Sequence, residues 1–478
     1  MSSKNNEVNI KSSIKTISKI FFIKKYIRSR YNYKIQKFFE IGLPNFTIYF
    51  LRKLITNNSF NKFKFLNLVK EISKLFFYSF RRTCIKKETS KKKLMFYFTG
   101  QKFYQSQINI INILSNNFEI IILSQINLKN KIQNKNIKYL NIKDFVTLKI
   151  FFFIFYKFLI DIGIFFNRSS NKYYSIFYTW LKINYFKLIS YEKISDIIIN
   201  RIKPHAIIIS DPQEIFAQFL NFSGERMKIN VIFIQFGLLT PETLEWVGQK
   251  TKQCLVFDEF SKKVISNNAK FFKIKKKISI FGNPKFLDLK FNYQKIKLKK
   301  MKIIFFCPVP KILNIQNIET NIDLKRLKTI LLNLNEVGKK LNLIIKLKRH
   351  PEDKYNYENF ILENKLNNIK FSFFSIVKTE KLIEKYDVVI STHSAAAYEA
   401  ILLNKLTFLV NVDKTLISFF KESRIGIIVD NIIDVSKHLS FKNIGQIEEK
   451  FKNRRENYIN KNFKNINRIS ILNESILK

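Results

Sequence analysis

Short apolar runs that end abruptly in polar residues or glycine recur along most of the chain. In the first half they are LMFYF, EIIIL, IKYLN, AIII, NVIFI, CLVF and KISI. After a charged segment at 285–300 the pattern starts again, with KIIFF, LIIKL, DVVI, LTFLV and GIIV. Helical stretches such as LKRLKTILLNLNEVGKKL lie between them. Short apolar strands separated by helices predict a parallel α/β sheet covered on both faces, here formed twice in succession.

This repetition predicts two Rossmann-like lobes with a cleft between them. We place the N-terminal lobe at 93–290 and the C-terminal lobe at 300–442. A basic, aromatic helical extension at 1–92 precedes them, and a closing helix and tail follow at 443–478. A chain of 478 residues is long enough for two domains.

The most apolar window of the chain, FVTLKIFFFIFYKFLIDIGIFF at 145–166, is interrupted by three ionisable residues. They are Lys149, Lys157 and Asp161. Ionisable side chains are costly in the middle of a bilayer. We therefore predict a buried or interfacial helix here rather than a transmembrane one.

The net charge of +49 favours anionic partners, such as an anionic lipid surface, nucleic acid or a phosphorylated substrate. Part of the lysine excess reflects base composition, because Lys, Asn, Ile and Phe, all abundant here, have A/T-rich codons. Cys84, Cys254 and Cys307 are far apart and form no CxxC pair. This spacing indicates a reducing compartment without a disulfide framework or structural zinc.

The segment KLKRHPEDKY concentrates basic residues at the end of one apolar run. Lys346, Lys348, Arg349 and His350 surround the predicted strand end. Ligands of open α/β sheets bind at the carboxyl ends of the strands. An arginine can hold a phosphate through two hydrogen bonds, and a neighbouring histidine can donate to a phosphate oxygen. A merely basic strand end is the alternative, and we favour phosphate binding by Arg349 and His350.

The segment DVVISTHSAAAYEA joins a predicted buried strand to a helix through hydroxyl-bearing residues. Ser391, Thr392 and Ser394 lie where the helix N-terminus presents N–H groups and its positive dipole end, which suits a phosphate. The alanines allow close approach of a ligand, and Glu399 suits a pair of ribose hydroxyls. Alternatively, Ser394 only caps the helix. We favour a phosphate cradle at 391–394, in which His393 either contacts the donor or faces the KRHP loop.

Further polar residues follow apolar runs of the first lobe. Gly282 and Asn283 precede the linker, where the cleft would open, and we include them among the donor-binding residues. Asp211 follows the run AIIIS, with Glu214 close by, and either deprotonates an acceptor hydroxyl or caps the next helix. Glu242, in LLTPETLEW, is a second candidate base.

With these loops in this order, the chain resembles bacterial surface-polysaccharide transferases of the GT-B architecture. These are the capsule polysaccharide and CDP-glycerol glycerophosphotransferase-like families, with a more distant likeness to HP-motif sialyltransferases. The matching segments lie between about 230 and 412 and are LVFDEFSKKVISNN…ISIFGNPKF, IIKLKRHPED and DVVISTHSAAAYEAILLNKLTFLV.

The resemblance implies that His350, Ser391, Thr392 and Ser394 contact the donor phosphates, while Glu399 matches the acid on the helix. The chain departs from the family pattern at one point. Many relatives have His-Gly after the strand that is VIFIQFG here, and this chain has Phe236 before the glycine. If that histidine is the acceptor base in relatives, another residue must act here.

Together these features predict a transferase that moves a sugar or polyol phosphate from a nucleotide-activated donor to a lipid-linked or glycan acceptor. The donor is a nucleotide sugar or a CDP-polyol. The base is Asp211 or Glu242, and His350 with the 391–394 loop stabilises the leaving nucleotide. We expect no cofactor and no essential metal, because no DxD-type carboxylate pair follows a suitable strand. The basic extension and the 145–166 helix predict a cytoplasmic protein docked on the inner face of the membrane.

Two alternatives belong to other classes. A nucleotide-sugar 2-epimerase would use the same phosphate-binding loops but needs further carboxylates, and it leaves the basic extension unexplained. A nucleic-acid-binding protein would cluster its basic residues on one face with stacking aromatic residues. The lysines are instead spread along the whole chain, so we expect no nucleic-acid partner.

Overall fold

We describe a computed structural model of the chain, in which strands and helices alternate as two parallel α/β units. The structure describes residues 19–20, 22–29, 33–55, 65–80, 91–166, 169–211, 214–239, 250–271, 273–287, 296, 301–308, 324–350, 353, 355–371, 379–392, 394–411, 418–464 and 466–477.

The first sheet contains seven strands among the described residues. They are β1 (Lys93–Phe98), β2 (Glu119–Ser124), β3 (Ile137–Asn141), β4 (Ala206–Ile209), β5 (Asn230–Ile234), β6 (Gln253–Val256) and β7 (Lys277–Ile280). Their order is β3-β2-β1-β4-β5-β6-β7, and the pairings between neighbours are parallel. All six residues of β2 and all four of β4 are buried, as expected of parallel strands covered on both faces.

The helices of the first unit follow the strands or precede the sheet. Those before the sheet are α1 (Tyr33–Ile41), α2 (Leu43–Ile55) and α3 (Phe65–Tyr78). Those within and after it are α4 (Gln101–Ser106), α5 (Ile108–Leu114), α6 (Leu148–Ile160), α7 (Lys172–Ile202), α8 (Ile215–Arg226) and α9 (Glu259–Phe271), with short 3-10 helices at Ile142–Phe145 and Ile162–Phe166.

The second sheet contains six strands in the part of the chain that the structure describes. They are β8 (Ile303–Phe306), β9 (Ile345–Lys348), β10 (Ile369–Phe371), β11 (Val388–Ser391), β12 (Leu406–Val410) and β13 (Ile427–Val429), in the order β10-β9-β8-β11-β12-β13. These pairings are also parallel. The helices that come after β8 in the chain are α10 (Leu324–Leu341), α11 (Tyr357–Glu363), α12 (Thr379–Ile383), α13 (Ala395–Leu402), α14 (Ser418–Ser423), α15 (Asp434–His438), α16 (Ile444–Phe463) and α17 (Arg468–Leu477), of which all but α17 belong to the second unit.

The last helix, α17, belongs to the first unit although it ends the chain. Its Leu472 and Ile476 are 0% and 1% exposed and join the core beneath β1, β2 and β4. Ser475 accepts a bond from the side-chain amide of Asn230 at the start of β5. The described residues up to Phe236, together with 250–287 and 467–477, therefore form one compact unit, and those at 237–239, 296 and 301–466 form the other.

Each sheet reverses its strand order once. In the first sheet the chain moves outward from β1 through β2 and β3 and then returns to pair β4 with β1. In the second sheet β8 has β9 on one side and β11 on the other. These are the topological switch points at which open α/β sheets bind ligands. The fold class predicted from the sequence, α/β with two Rossmann-like lobes, is confirmed.

The 145–166 window forms α6 and the 3-10 helix Ile162–Phe166 rather than one continuous span. Ile150, Ile154 and Phe158 of α6 are buried, while the opposite side of the helix is exposed. No helix within the described ranges is both long and apolar enough to cross a bilayer.

Candidate functional site

Ser391 and Ser394, which we call the serine turn, lie close together at the carboxyl edge of the second sheet, where β11 ends and α13 begins. Ser391 is completely buried, and its Oγ lies 2.9 Å from the Oγ of Ser394. Ser394 is extended, with φ −157° and ψ 153°, and its Oγ accepts a bond from the N–H of Ala397 at 3.2 Å. It is therefore the N-cap of α13. Ala395 is exposed and Ala396 half-buried, so the first turn of the helix is accessible.

Helix α16 contacts the C-terminal end of α13 through hydrogen bonds from a buried arginine. Arg455, 1% exposed, donates from Nε to the carbonyl of Ile401 at 2.8 Å and from Nη2 to that of Leu402 at 2.9 Å. Burial lowers the pKa of Arg455 to about 10, which leaves it charged at neutral pH. The hydroxyls of Tyr398 and Tyr458 also lie 3.0 Å apart in the core. The helix that begins at the serine turn is thus held rigidly at its other end.

A buried aspartate, Asp353, makes hydrogen bonds to groups on either side of it in the sequence after β9. Asp353, 2% exposed, accepts bonds from the hydroxyl of Tyr357 at 2.5 Å and from the N–H of Tyr355 at 2.8 Å. Its own N–H donates to the carbonyl of His350 at 3.0 Å. Arg349 lies over the ring of Phe371, 5.9 Å from its centroid. The carbonyl of His350 is therefore joined to Asp353 and, through the carboxylate of that residue, to Tyr357 of α11.

The two loops lie on the same edge of the second sheet. Ser391 is level with Phe306 of β8, and Phe306 is level with Lys348 of β9. Neighbouring strands are about 4.8 Å apart, so the ends of β9 and β11 are separated by about 10 Å across β8. Burial lowers the pKa of the Lys348 ammonium, and the charge of Arg349 adds to this effect. The switch point of this sheet is thus bordered by two basic residues, Lys348 and Arg349, and by the hydroxyls of Ser391, Thr392 and Ser394.

The remaining predicted donor-site and base residues are Glu399, His393, Glu242, Gly282 and Asn283. Glu399 is 6% exposed within α13. His393 and Glu242 fall outside the described residues. Gly282, with φ +83°, lies in the first unit, where an added Cβ would meet Arg468 Cζ at 3.2 Å. The positive φ of Gly282 and the close packing of Arg468 against it give this glycine a structural role in the first unit.

Asn283 stabilises the same turn of the first unit. Its Oδ1 accepts a bond from the N–H of Lys285 at 3.0 Å, and its carbonyl accepts one from Phe286. Arg468 of α17 donates to the carbonyls of Phe286 and Leu287 at 2.5 and 2.8 Å. These contacts give the GNP segment a structural explanation within the first unit.

The predicted base Asp211 lies after β4, at the switch point of the first sheet. Its Oδ2 accepts a bond from the hydroxyl of Thr99, after β1, at 3.2 Å. Asp211 is not the cap of the following helix. That role belongs to Glu214, whose Oε2 accepts from the N–H of Ala217 at 2.8 Å.

Glu214 accepts hydrogen bonds from groups at two neighbouring strand ends. Tyr97 of β1 donates its hydroxyl to Glu214 Oε2 at 2.9 Å, and Gln125, after β2, donates its amide to Oε1 at 3.0 Å. The same amide lies 2.6 Å from the Tyr97 hydroxyl. Burial raises the pKa of the Glu214 carboxyl to about 7, and the charge of Asp211 contributes in the same direction. We call Asp211 and Glu214 the carboxylate pair.

Sequence reasoning noted Glu214 only as a neighbour of Asp211 and missed Tyr97 and Gln125. Tyr97 lies within an apolar run, and its register opposite Ile209 of β4 depends on the strand order. The signal available from the sequence was a tyrosine within an otherwise aliphatic and phenylalanine-rich strand. Buried tyrosine hydroxyls usually require a polar partner.

Phe236 lies just after β5, where the resemblance stated above leads us to expect a histidine. Its ring packs against that of Phe103 of α4, with centroids 4.4 Å apart, and Lys102 lies over it at 5.7 Å. The preceding Gln235 is buried and bridges β5 to the next strand end through the N–H of Phe257 at 2.7 Å. This strand end therefore offers an aromatic contact rather than a proton acceptor.

No family model matches the chain, and no curated protein matches its sequence. Solved structures with a similar chain course include a UDP-GlcNAc 2-epimerase from Methanocaldococcus jannaschii, at 17% identity and a TM-score of 0.46, covering 80% of this chain and 99% of that one. The wall teichoic acid polymerase TagF, soaked with CDPG, matches at 11% identity and a TM-score of 0.46, covering 86% and 94%. A UDP-glucosyltransferase from Polygonum tinctorium matches at 8% identity and a TM-score of 0.46, covering 81% and 99%. These values are too low to assign an activity to this chain.

Proposed function

We propose that the chain is a transferase that uses a nucleotide-activated donor of a sugar or a polyol phosphate. The observation that carries this proposal is the serine turn at the switch point of the second sheet. Ser391 and Ser394 lie at the N-terminus of α13, about 10 Å across β8 from the strand end that leads to Arg349 and His350. A helix N-terminus, hydroxyls and a guanidinium together suit the phosphates of a nucleotide.

In the proposed reaction, an acceptor hydroxyl loses its proton to a carboxylate of the first unit, for which Asp211 is our candidate. The acceptor oxygen then forms a bond to the transferred group. The bond between that group and the nucleotide's phosphate oxygen breaks, and the nucleotide keeps the electron pair. Arg349, His350 and the N-terminus of α13 stabilise the negative charge on the leaving nucleotide, which is the role of preorganised donors in catalysis.

Thermal denaturation of the full chain with CMP, CDP, UDP and GDP tests the proposal. A ligand at about 100 times its Kd stabilises the native state by about 2.7 kcal/mol and raises the melting temperature. We expect one nucleotide to act preferentially, and the effect to be lost in His350→Ala and Ser391→Ala. The matched control is His205→Ala, a histidine of the first unit near Lys93. A response to none of these nucleotides, or an equal response in all variants, overturns the proposal.

A nucleotide-sugar 2-epimerase is a second candidate, favoured by one observation. Asp211 and Glu214 lie at the same strand end, and the pKa of Glu214 is near neutrality. Epimerisation requires groups that remove and return a proton, and carboxylates with raised pKa values suit that task. NMR of a nucleotide sugar incubated with the chain separates the two. An epimerised nucleotide sugar without an acceptor supports the epimerase, whereas acceptor-dependent release of nucleotide supports the transferase.

We further propose that the transferase docks on an anionic membrane surface through a region of the first unit that we call the α3–α6 surface. Phe76 of α3 packs on Phe151 of α6 at 5.2 Å, which joins the two helices. Large apolar side chains exposed by 38–78% lie on these helices: Phe65, Leu66, Val69, Phe77, Leu148, Phe152, Phe153, Tyr156, Leu159 and Ile160. Lys70, Lys74, Lys149 and Lys157 are exposed on the same helices. Apolar and basic residues in this arrangement suit an anionic lipid interface.

Sedimentation with vesicles tests the membrane proposal. We expect binding to vesicles rich in phosphatidylglycerol, weaker binding to phosphatidylcholine and weakening by salt. The triple variant Phe152→Ser, Tyr156→Ser, Ile160→Ser should bind at least about tenfold more weakly, since each removes apolar area worth on the order of 1 kcal/mol. Phe441→Ser, which alters an 87%-exposed phenylalanine of the second unit, is the control. Equal binding of both variants overturns the assignment of the surface.

A further inference from the structure

A pocket of about 290 Å³ lies inside the first unit, between α3 and α7 and beside the 3-10 helix Ile142–Phe145. We call it the α3–α7 pocket. Its volume is at the lower end of the range for small-molecule sites. The helix α3 that forms one wall belongs to the N-terminal extension, for which the sequence indicated no chemistry.

Three lysines from different elements line the α3–α7 pocket: Lys74 of α3, Lys143 of the 3-10 helix and Lys187 of α7. The one carboxylate among its lining residues is Glu71. Its Oε1 lies 3.8 Å from the Nζ of Lys74 and 3.9 Å from that of Lys187. Glu71 is thus held loosely between two ammonium groups, where an anionic ligand would be attracted. Such partly exposed pairs contribute little on their own and can be displaced.

The pocket also has an apolar and aromatic base. Leu75, Val146 and Ile194 line it and are at most 9% exposed themselves. Tyr78 lies beneath Lys143, whose Nζ is 4.4 Å from the ring centroid. A small inorganic anion would leave this apolar base in contact with water. A phosphate attached to an apolar group would fill both parts.

Helix α3 separates the pocket from the α3–α6 surface. Glu71, Lys74 and Leu75 face the pocket, while Leu66 and Phe77 are exposed on the opposite side of the same helix. A helix with its side chains is about 10 Å across. A lipid whose chain contacts the α3–α6 surface would therefore carry its phosphate close to the pocket.

The pocket is connected to the carboxylate pair through Gln125. This residue lines the pocket, and its amide donates to Glu214 Oε1 at 3.0 Å. Tyr191 also lines the pocket, and its pKa is raised first by burial and then by the charge of Glu214. A ligand in the pocket is thus one hydrogen-bonded residue away from a group that can accept a proton.

We propose that the α3–α7 pocket binds the phosphate of the acceptor, and that this acceptor carries its reacting hydroxyl on a group joined through that phosphate to an apolar alcohol. The identity of the ligand as an acceptor rests on the proposed transferase function. The binding of a phosphate ester does not, because it is measured without a donor. Lys74, Lys143 and Lys187 hold the phosphate, and the apolar base of the pocket contacts the first carbons of the alcohol.

Isothermal titration of the full chain with geranyl phosphate, geraniol and inorganic phosphate tests this inference. Geranyl phosphate should bind at least about tenfold more tightly than either of the others, because only it provides both charge and apolar contact. Equal affinity for geraniol would refute phosphate recognition. Equal affinity for inorganic phosphate would refute the ester and leave a simple anion site.

A sharper test compares a variant that removes positive charge from the pocket with a variant that removes negative charge from it. Lys74→Gln combined with Lys187→Gln should weaken geranyl phosphate binding about tenfold, since each exposed charge contributes up to about 1 kcal/mol. Glu71→Gln should tighten it a few-fold, because the competing carboxylate is removed. The matched control is Lys339→Gln on α10, where Lys339 pairs with Glu336 at 2.7 Å in the second unit. Weaker binding in Glu71→Gln, or equal affinity in the double lysine variant and the control, overturns the inference.

The same variants distinguish failure of this inference from failure of the proposed function. Nucleotide-dependent melting should be unchanged in the lysine and glutamate variants. If geranyl phosphate binds as expected but no nucleotide stabilises the chain, the transferase proposal fails and the pocket assignment stands. If a nucleotide binds and geranyl phosphate does not, the pocket assignment fails and the transferase proposal stands.

Discussion

Replacing Glu214 by glutamine should change how the stability of the first unit depends on pH. The carboxyl has a folded-state pKa of about 7 against a usual value of 4.5, chiefly because it is buried. Below about pH 4.5 both the folded and the unfolded forms are protonated. Between about pH 4.5 and 7 the unfolded chain releases this proton and the folded chain keeps it, so stability falls as the pH rises. Above about pH 7 the loss is complete.

The size of the effect follows from the shift. Each unit of pKa difference corresponds to about 1.4 kcal/mol, so a shift of roughly 2.5 units sets a ceiling of about 3.4 kcal/mol. Between about pH 5 and 7.5 we expect the wild type to lose about 2.5 kcal/mol relative to Glu214→Gln. Glutamine retains an oxygen that can accept the bond from Ala217, so the cap of α8 is preserved.

Urea denaturation followed by tryptophan fluorescence measures this difference. Trp180 is completely buried on α7 and reports on the first unit. The chain has two tryptophans, so the experiment is done in a Trp246→Phe background that leaves Trp180 alone. Glu336→Gln, at an ion-paired surface position of α10, controls for loss of a carboxylate. A difference between wild type and Glu214→Gln that stays constant from about pH 5 to 8 refutes the reasoning.

Three further changes test the structural basis of the site, each measured by urea denaturation. Arg455→Met should destabilise the second unit by about 3 kcal/mol, because it leaves two buried carbonyls of α13 without their charged donor; a loss below about 1 kcal/mol would contradict this. Ser394→Ala should cost about 1 kcal/mol through loss of the N-cap, whereas Ser394→Asp should not. Gly282→Ala should cost about 1–2 kcal/mol, since φ is +83° and Arg468 is 3.2 Å from the new Cβ; an unchanged midpoint would contradict the strain.

The elements that the sequence predicted well are those with a local signal. The run DVVI, the serine turn and the helix after it are found as β11, the turn and α13, because a buried run, a cap and a helix start lie within a few residues of one another. The strand order has no such signal. The pairing of β8 with both β9 and β11, which brings Ser391 level with Phe306 and Lys348, depends on contacts between distant segments.

The roles of the two residues of the carboxylate pair also could not be predicted from the local sequence. The sequence allowed Asp211 to be either a base or a cap. Both carboxylates of the DPQE segment, Asp211 and Glu214, are chemically able to cap a helix. The structure gives the cap to Glu214 because the helix begins at Ile215, one residue after it. The position of a helix start within such a loop is decided by packing, so the local sequence did not select between the two carboxylates.

The two ends of helix α13 differ in what surrounds them, and this difference affects what the N-terminus can bind. At the C-terminal end, the buried guanidinium of Arg455 donates to the carbonyls of Ile401 and Leu402 and offsets the negative end of the helix dipole. At the N-terminal end, the Ser394 hydroxyl accepts from the N–H of Ala397, while Ala395 stays exposed. A helix of eight residues has a modest dipole, and the basic end of β9, about 10 Å away across β8, adds positive charge near its N-terminus. Under the proposed function, a phosphate at the serine turn meets a helix N-terminus whose position is fixed before the ligand binds, so binding requires little reorganisation.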